Sequence, residues 1–346
     1  MSQKNKRAVS LPLLGGIAAI AIALSWSLGL VVSGVWKLTR PSPNRALQTK
    51  QTPLKSFDRV RDVPTGLFSY SGSPTWAPIR LSIDSSIQAA RPEFRLRYVQ
   101  PLDGSPSTRE AMKMLLDDRI AFVQSSYPLH QEDRYLAAQN GFRLQQIPVA
   151  IDSIVVVVHP SLNIPGLTLE QLRSIYTGQI TNWQEVGGPD VEIILYSRPV
   201  SAGGQVEFFI NEVLKGQSFG SGVEFLDTPT EALRKLENEP GGIYYGSAPL
   251  VLSQCKVKPL ALGRSPDEFV APYRGSLVAP AQCPERRNQP NIAAFQTGKY
   301  LLTLYLYVVI KENGRSEQQA GEAYTNFLLT EQGQKLIERA GFVRIR

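Results

Sequence analysis

Three stretches of the sequence place hydroxyl side chains just ahead of an apolar-periodic run, where a helix should open. They are Ser71-Gly72-Ser73-Pro74-Thr75-Trp76-Ala77-Pro78, Gly104-Ser105-Pro106-Ser107-Thr108-Arg109-Glu110 and Arg198-Pro199-Val200-Ser201-Ala202-Gly203-Gly204. A helix N-terminus carries N–H groups without intrahelical acceptors and a partial positive charge, so such loops suit an anion. Taken singly, each reads as a Ser or Thr capping its own helix, and Ser107 with Glu110 has capping-box spacing. Taken together, with an arginine able to grip an oxyanion through two N–H groups, they describe a convergent anion cleft.

Other chemistry is thinly supplied. Gly216-Gln217-Ser218-Phe219-Gly220 has the glycine-x-serine-x-glycine pattern of hydrolases, but helical periodicity precedes it where a strand should stand, so it reads as a loop. His130 and His159 are the only histidines, and neither has a nucleophile or carboxylate partner close in sequence; surface positions are expected. No phosphate-cradling loop of the nucleotide-hydrolase type is present, and Tyr300 to Tyr307 reads as core strand rather than a stacking platform. Cys255 and Cys283 have no histidine at ligand spacing, which argues against zinc. They are two buried thiols or, in an exported protein, a disulfide. No catalytic residue, metal or cofactor is expected.

The elements that must position the loops alternate. Helical spacing predicts helices over 79–90, 111–116, 169–176 and 206–214, and strand patterns fall at 94–99 and 192–197. Ile151 to Val158 is the β-branched kind of run that fills a sheet covered on both faces. Thr228-Pro229-Thr230-Glu231 supplies an N-cap, a first-position proline and a capping-box glutamate. Strands over 242–245 and 303–310 precede closing helices over 316–329 and 332–340. The pattern is α/β throughout.

The net charge of +7 suggests nucleic acid until its distribution is seen. Residues 1–62 hold ten Lys or Arg against Asp58 and Asp62, a net of +8, which leaves the remainder at −1. Basic residues beside an apolar run suit anionic lipid headgroups, and no nucleic-acid partner is expected. Leu11 to Trp36 is 26 residues without a charged side chain, long enough to span a bilayer and too long for a cleavable signal. Residues 1–10 are read as a cytoplasmic basic tail, 11–36 as a transmembrane anchor, and 37–62 as a proline-bearing linker of about 60 to 80 Å if taut. Positive charge flanks both ends of the helix, so charge counting does not set its orientation; a helix at the extreme N-terminus normally acts as an export signal.

Longer stretches carry a likeness to a known family. Ile147-Pro148-Val149-Ala150-Ile151-Asp152-Ser153-Ile154, Leu167-Thr168-Leu169-Glu170-Gln171-Leu172, and Ile175-Tyr176-Thr177-Gly178-Gln179-Ile180-Thr181-Asn182-Trp183 with Gly187-Gly188-Pro189-Asp190 resemble the phosphate-binding proteins of ABC transporters. Pro240-Gly241-Gly242-Ile243-Tyr244-Tyr245 and Phe327-Leu328-Leu329-Thr330-Glu331-Gln332-Gly333-Gln334 extend the resemblance over residues 66–346. It implies a two-lobed type II periplasmic-binding-protein-like fold over 63–346, preceded by one transmembrane helix. Crossings near Ala150 and Gly246 would give lobe 1 residues 63–150 and 247–346, and lobe 2 residues 151–246.

The resemblance further implies a non-enzymatic binding protein, held on the inner or plasma membrane with its large domain outside. Its ligand would be inorganic phosphate or another small oxyanion, and its partner an ABC permease. Thr75, Ser105, Ser125, Ser126 and Arg198 match positions of the family's anion-binding loops; Ser201 and Gly203 complete the candidate set. Departures stand beside these matches. Pro74 replaces a hydroxyl or small donor, Pro106 and Thr108 replace glycines, and Val200, Ala202 and Gly204 replace aspartate, serine and threonine. Each lost charge-assisted hydrogen bond costs about 1.5 to 3 kcal/mol, so two losses weaken binding by roughly 10² to 10⁴. The alternative is a degenerate binding fold serving as a sensory or protein-interaction module, its cleft filled by Trp76 or Tyr127.

Overall fold

The computed structural model describes residues 54–102 and 106–345. The expected basic tail, the anchor, most of the linker and Ser105 lie outside the described residues.

Strands β1 (Gly66–Gly72) and β2 (Phe94–Tyr98) run parallel with helix α1 (Ala77–Ala90) between them, and α2 (Thr108–Leu116) leads into β3 (Phe122–Ser125), parallel to β1. After α3 (Gln131–Gln139) comes β4 (Arg143–Val158). Then follow β5 (Gly166–Thr168), α4 (Leu169–Tyr176), β6 (Ile194–Ser197), α5 (Gln205–Glu212), β7 (Val223–Phe225), α6 (Pro229–Asn238) and β8 (Gly242–Ser247). The C-terminal part contains α7 (Ala248–Val251), β9 (Lys258–Pro259), β10 (Ala261–Gly263), α8 (Ile292–Thr297), β11 (Thr303–Glu312), α9 (Ser316–Leu328) and α10 (Glu331–Arg339).

The valine run predicted as a strand is the second part of β4, and this strand organises the molecule. Residues 143–153 pair antiparallel with β11, whereas 154–158 pair antiparallel with β8. The sheet order β2-β1-β3-β11-β4-β8-β6-β7 therefore holds two α/β halves that share one strand, a two-lobed fold. Ile154 to Val158 are fully buried, as a β-branched run covered on both faces requires. In the first lobe, Tyr70, Phe122 and Tyr324 stack with centroids 4.6 to 5.9 Å apart; in the second, Phe209 stacks on Tyr245 at 3.8 Å.

Two expected boundaries move. The return crossing is not at Gly246: β9 still pairs with Val157 and Val158, β10 pairs with β5, and the chain rejoins the first lobe only at β11. The sequence hides this because Lys258 to Gly263 forms strands of two and three residues, too short to show a period. The linker also ends earlier than 62. Phe57 and Val60 are buried, Phe57 meets Phe327 edge-on at 5.5 Å, and the Glu331 N–H donates to the Leu54 carbonyl at 2.9 Å. Phe57 holds this stretch to the C-terminal helices, and the Val60 carbonyl accepts from Arg91 at the end of α1.

Helix starts follow the caps read from sequence. Thr228 Oγ1 accepts from the Glu231 N–H at 3.2 Å, and Thr168 with Gln171 forms a full capping box. Cys255 and Cys283 form a disulfide with Cα atoms 5.6 Å apart.

Candidate functional site

The three hydroxyl-bearing loops follow parallel strands: the first follows β1, the second lies between β2 and α2, and the third follows β6, while Ser125-Ser126 closes β3. The carboxyl edge of an open α/β sheet is where ligands bind. Each loop is shaped first by its own backbone. Ser73 Oγ accepts from the Thr75 N–H at 3.3 Å and starts the turn that feeds α1; Ser107 Oγ accepts from the Glu110 N–H at 3.1 Å and caps α2. Thr108 is fully buried, and its Oγ1 accepts from the Ser126 N–H at 3.2 Å. This bond ties two loops together.

The third loop closes against the first lobe. Gly203 has φ +62° and Gly204 φ +51°, backbone that L side chains rarely adopt. A Cβ on Gly204 would lie 2.5 Å from Ser126 Oγ and 3.2 Å from Ser73 Oγ; one on Gly203 would lie 3.2 Å from the Ser107 Cβ. Glycine at 204 lets the loop backbone reach these serines.

Between the loops is a small cavity of about 20 Å³, lined among others by Ser73, Thr75, Arg198, Gly203, Gln205 and Tyr244. A water needs about 10 to 15 Å³ by this measure, so the space between the loops holds little more than one water with the lobes in this arrangement. Arg198 follows β6 directly, and its Nε is buried with no hydrogen-bond partner among the described residues. A buried, unpaired guanidinium nitrogen is costly and marks a place for an acceptor. Burial pushes the Tyr244 hydroxyl up to about 12 and Tyr245 further, while Arg198 pulls both down. Both phenols stay protonated at neutral pH.

Not every candidate faces this space. Thr75, Arg198 and Gly203 line the cavity, and Ser126 abuts Gly204. Ser125 turns to its own loop, donating to the Tyr127 carbonyl at 2.6 Å and accepting from the Tyr127 N–H at 3.2 Å, and it does not line the cavity. Ser201 is exposed in a single 3₁₀ turn and does not line the cavity. Residues that the sequence reading passed over include Ser73, Gln205, Tyr244 and Tyr245. Ser73 before Pro74 has an N-cap signature that was available; the tyrosines look like ordinary strand residues until Arg198 is placed beside them.

Trp76 and Tyr127 do not fill the cleft. Trp76 is fully buried, with Nε1 donating to the Ser125 carbonyl at 3.0 Å, and Tyr127 rests against His130. His130, which has no carboxylate partner close in sequence, meets Glu207 across the lobes at 3.1 Å, with Arg109 4.0 Å from the same oxygen. His159 contacts Ser161 at 2.7 Å. Ser218 is exposed in the loop after α5.

Behind the first loop lies a buried polar network. Arg80 donates to Gln124 Oε1 at 3.0 Å and to the Ser73 carbonyl at 3.3 Å, Gln124 donates to the Tyr324 hydroxyl at 2.7 Å, and the Tyr324 and Tyr70 hydroxyls donate to Asp84. Burial raises the Asp84 carboxyl to about 6, against the pull of these hydroxyls.

Comparison with known proteins agrees with this architecture. The phosphate-binding protein PstS of Staphylococcus aureus (strain bovine RF122 / ET3-1) is 24% identical over 275 residues, covering 79% of this chain and 76% of that protein. A phosphate ABC transporter substrate-binding protein with bound phosphate from Clostridium perfringens superposes with a TM-score of 0.63 at 20% identity, covering 81% of this chain and all 100% of that one. An ABC-type phosphate transport receptor from Vibrio cholerae gives a TM-score of 0.62 at 20% identity, over 80% and 99% of the two chains. A family profile described as a PBP superfamily domain matches residues 59–332. With two lobes sharing a strand, loops converging at the sheet's carboxyl edge and a profile spanning most of its length, the chain belongs to the PBP (periplasmic-binding-protein) superfamily.

Proposed function

We propose that this protein is an extracytoplasmic binding protein that holds one small tetrahedral oxyanion, phosphate first, between its lobes and delivers it to an ABC-type permease. The observation that carries the reading is the buried Nε of Arg198, without a hydrogen-bond partner among the described residues, at a small polar cavity between the loops. The relatives named for phosphate binding support it. Arg198, the loop-three backbone and the Ser73, Thr75 and Tyr244 hydroxyls would hold the ligand, and no covalent chemistry is asked of them. The disulfide supports an oxidising compartment. The apolar run 11–36 would tether the domain to the membrane, with 37–53 as spacer.

A second reading, a sensory module with weak or no anion affinity, draws on the side chains at 200, 202 and 204, which offer no hydrogen-bonding group. Isothermal titration of the full chain in detergent with phosphate, sulfate and other small anions separates the two. Saturable one-site heat with phosphate is expected; no heat with any anion would overturn the first reading and leave the second.

A further inference from the structure

One carboxyl outside the cavity joins the parts that must move together. Asp152 sits on β4 where the strand passes from pairing with β11 to pairing with β8, opposite Leu304 and two residues before Ile154. Ile154 lies opposite Ser247, the last residue of β8, so Asp152 and Ser247 are diagonal neighbours on one face of the sheet. Asp152 is 2% exposed. Both its oxygens lie 2.7 Å from Ser247 Oγ, and Oδ1 accepts from the Ser153 N–H at 2.8 Å. The Ala248 N–H and the side chain of Gln205 also face it. Gln205 is the first residue of α5 and lines the cavity beside Arg198 and Gly203.

We propose that Asp152 is a positioning residue: it locks the waist strand β4 to the end of β8 and, through Gln205, sets the first turn of α5 and the Gly203–Gly204 backbone in the geometry that receives the anion. The inference rests on the reading of the Arg198 cavity as the ligand site, although Asp152 itself touches no ligand. A buried carboxylate bonded by the Ser247 hydroxyl and the Ser153 N–H, with the Ala248 N–H and the Gln205 side chain beside it, is satisfied only when β4, β8, α7 and α5 are in register. An amide keeps one oxygen to accept from the Ser153 N–H but puts an NH₂ where the second oxygen was, which cannot accept from the Ala248 N–H or the Gln205 side chain. No charged side chain among the described residues acts on this carboxyl; its neighbours are Ser247, Ser153, Ala248 and Gln205. Burial raises it to about 7, so it takes up a proton at mildly acid pH.

The test is hydrogen exchange by mass spectrometry on the full chain, free and with inorganic phosphate, for wild type, Asp152→Asn and Ser247→Ala. In the free protein, Asp152→Asn should speed exchange over 203–209 about tenfold while β1 and β3 stay protected, with Ser247→Ala a smaller change in the same place. Phosphate affinity should fall about tenfold in Asp152→Asn, and the ratio of wild-type to variant affinity should narrow from pH 8 to pH 6. Phosphate's own protonation cancels in that ratio. Exchange over 203–209 within twofold of wild type in both variants, or a rise spread evenly over the domain, overturns the proposal. Should Asp152→Asn fail to fold, Ser247→Ala decides on the same criterion. A wild type that ignores phosphate would sink the ligand reading alone, since exchange in the free protein still judges Asp152.

Discussion

The two sides of the cleft are built differently. On the first lobe, Ser73, Ser107, Thr108 and Ser125 all have hydroxyls engaged with backbone N–H groups, and only the buried Ser71 hydroxyl has no partner among the described residues. On the second, Arg198 holds a buried nitrogen with no partner, and two left-handed glycines bring bare backbone to the first lobe. One side supplies shape and the other supplies charge. Affinity should therefore be concentrated in the second lobe, even though the first contributes more of the hydroxyls that drew attention in the sequence.

The comparison is broken most severely by Arg198→Ala, which should lower phosphate affinity at least about 100-fold by titration, the scale of a lost charged pair. Arg198→Lys should recover only part of it, because a point charge cannot reproduce the planar fork. Gly204→Ala comes next. Its methyl would press on Ser126 Oγ at a strained φ, so the lobes should meet imperfectly and affinity fall about tenfold, with little change in melting temperature.

A third test concerns the first lobe. Asp84 is raised from 3.8 to about 6 in the folded protein, chiefly by burial. A raised carboxyl favours the folded state when protonated, so its contribution is complete below pH 4 and is lost as pH rises through about 6. Asp84→Asn should flatten that share of the stability slope, worth on the order of 1 to 3 kcal/mol, in calorimetry at pH 4.5 and 7.5. Phosphate affinity at pH 7.5 should change less than in either second-lobe variant. The smallest effect belongs to Glu207→Gln, which removes the His130 and Arg109 contacts between lobes; a two- to threefold loss of affinity, shrinking at high salt, is expected for so exposed a cluster.

Legibility from sequence followed the strength of local signals. Thr228-Pro229 and Thr168 with Gln171 announced helix starts, and the valines of β4 announced a central strand. β1, with Ser69, Ser71 and two glycines, and α3, with Ala137 as its only buried residue, carry too little apolar pattern to show. The serine loops were visible, but which hydroxyls were already occupied was not: Ser125 and Ser126 are adjacent, and only the fold shows one serving its own turn while the other meets Gly204. The pairing of His130 with Glu207 spans 77 positions, and Asp152 sits in a run read as plain core strand.

The most direct test of the central claim is nitrogen-15 NMR of the arginine Nε–H groups during phosphate titration. The Arg198 resonance should move downfield and saturate at one equivalent, alone among the arginines in the size of its shift. An Arg198 signal that stays in place while phosphate binds would contradict the account.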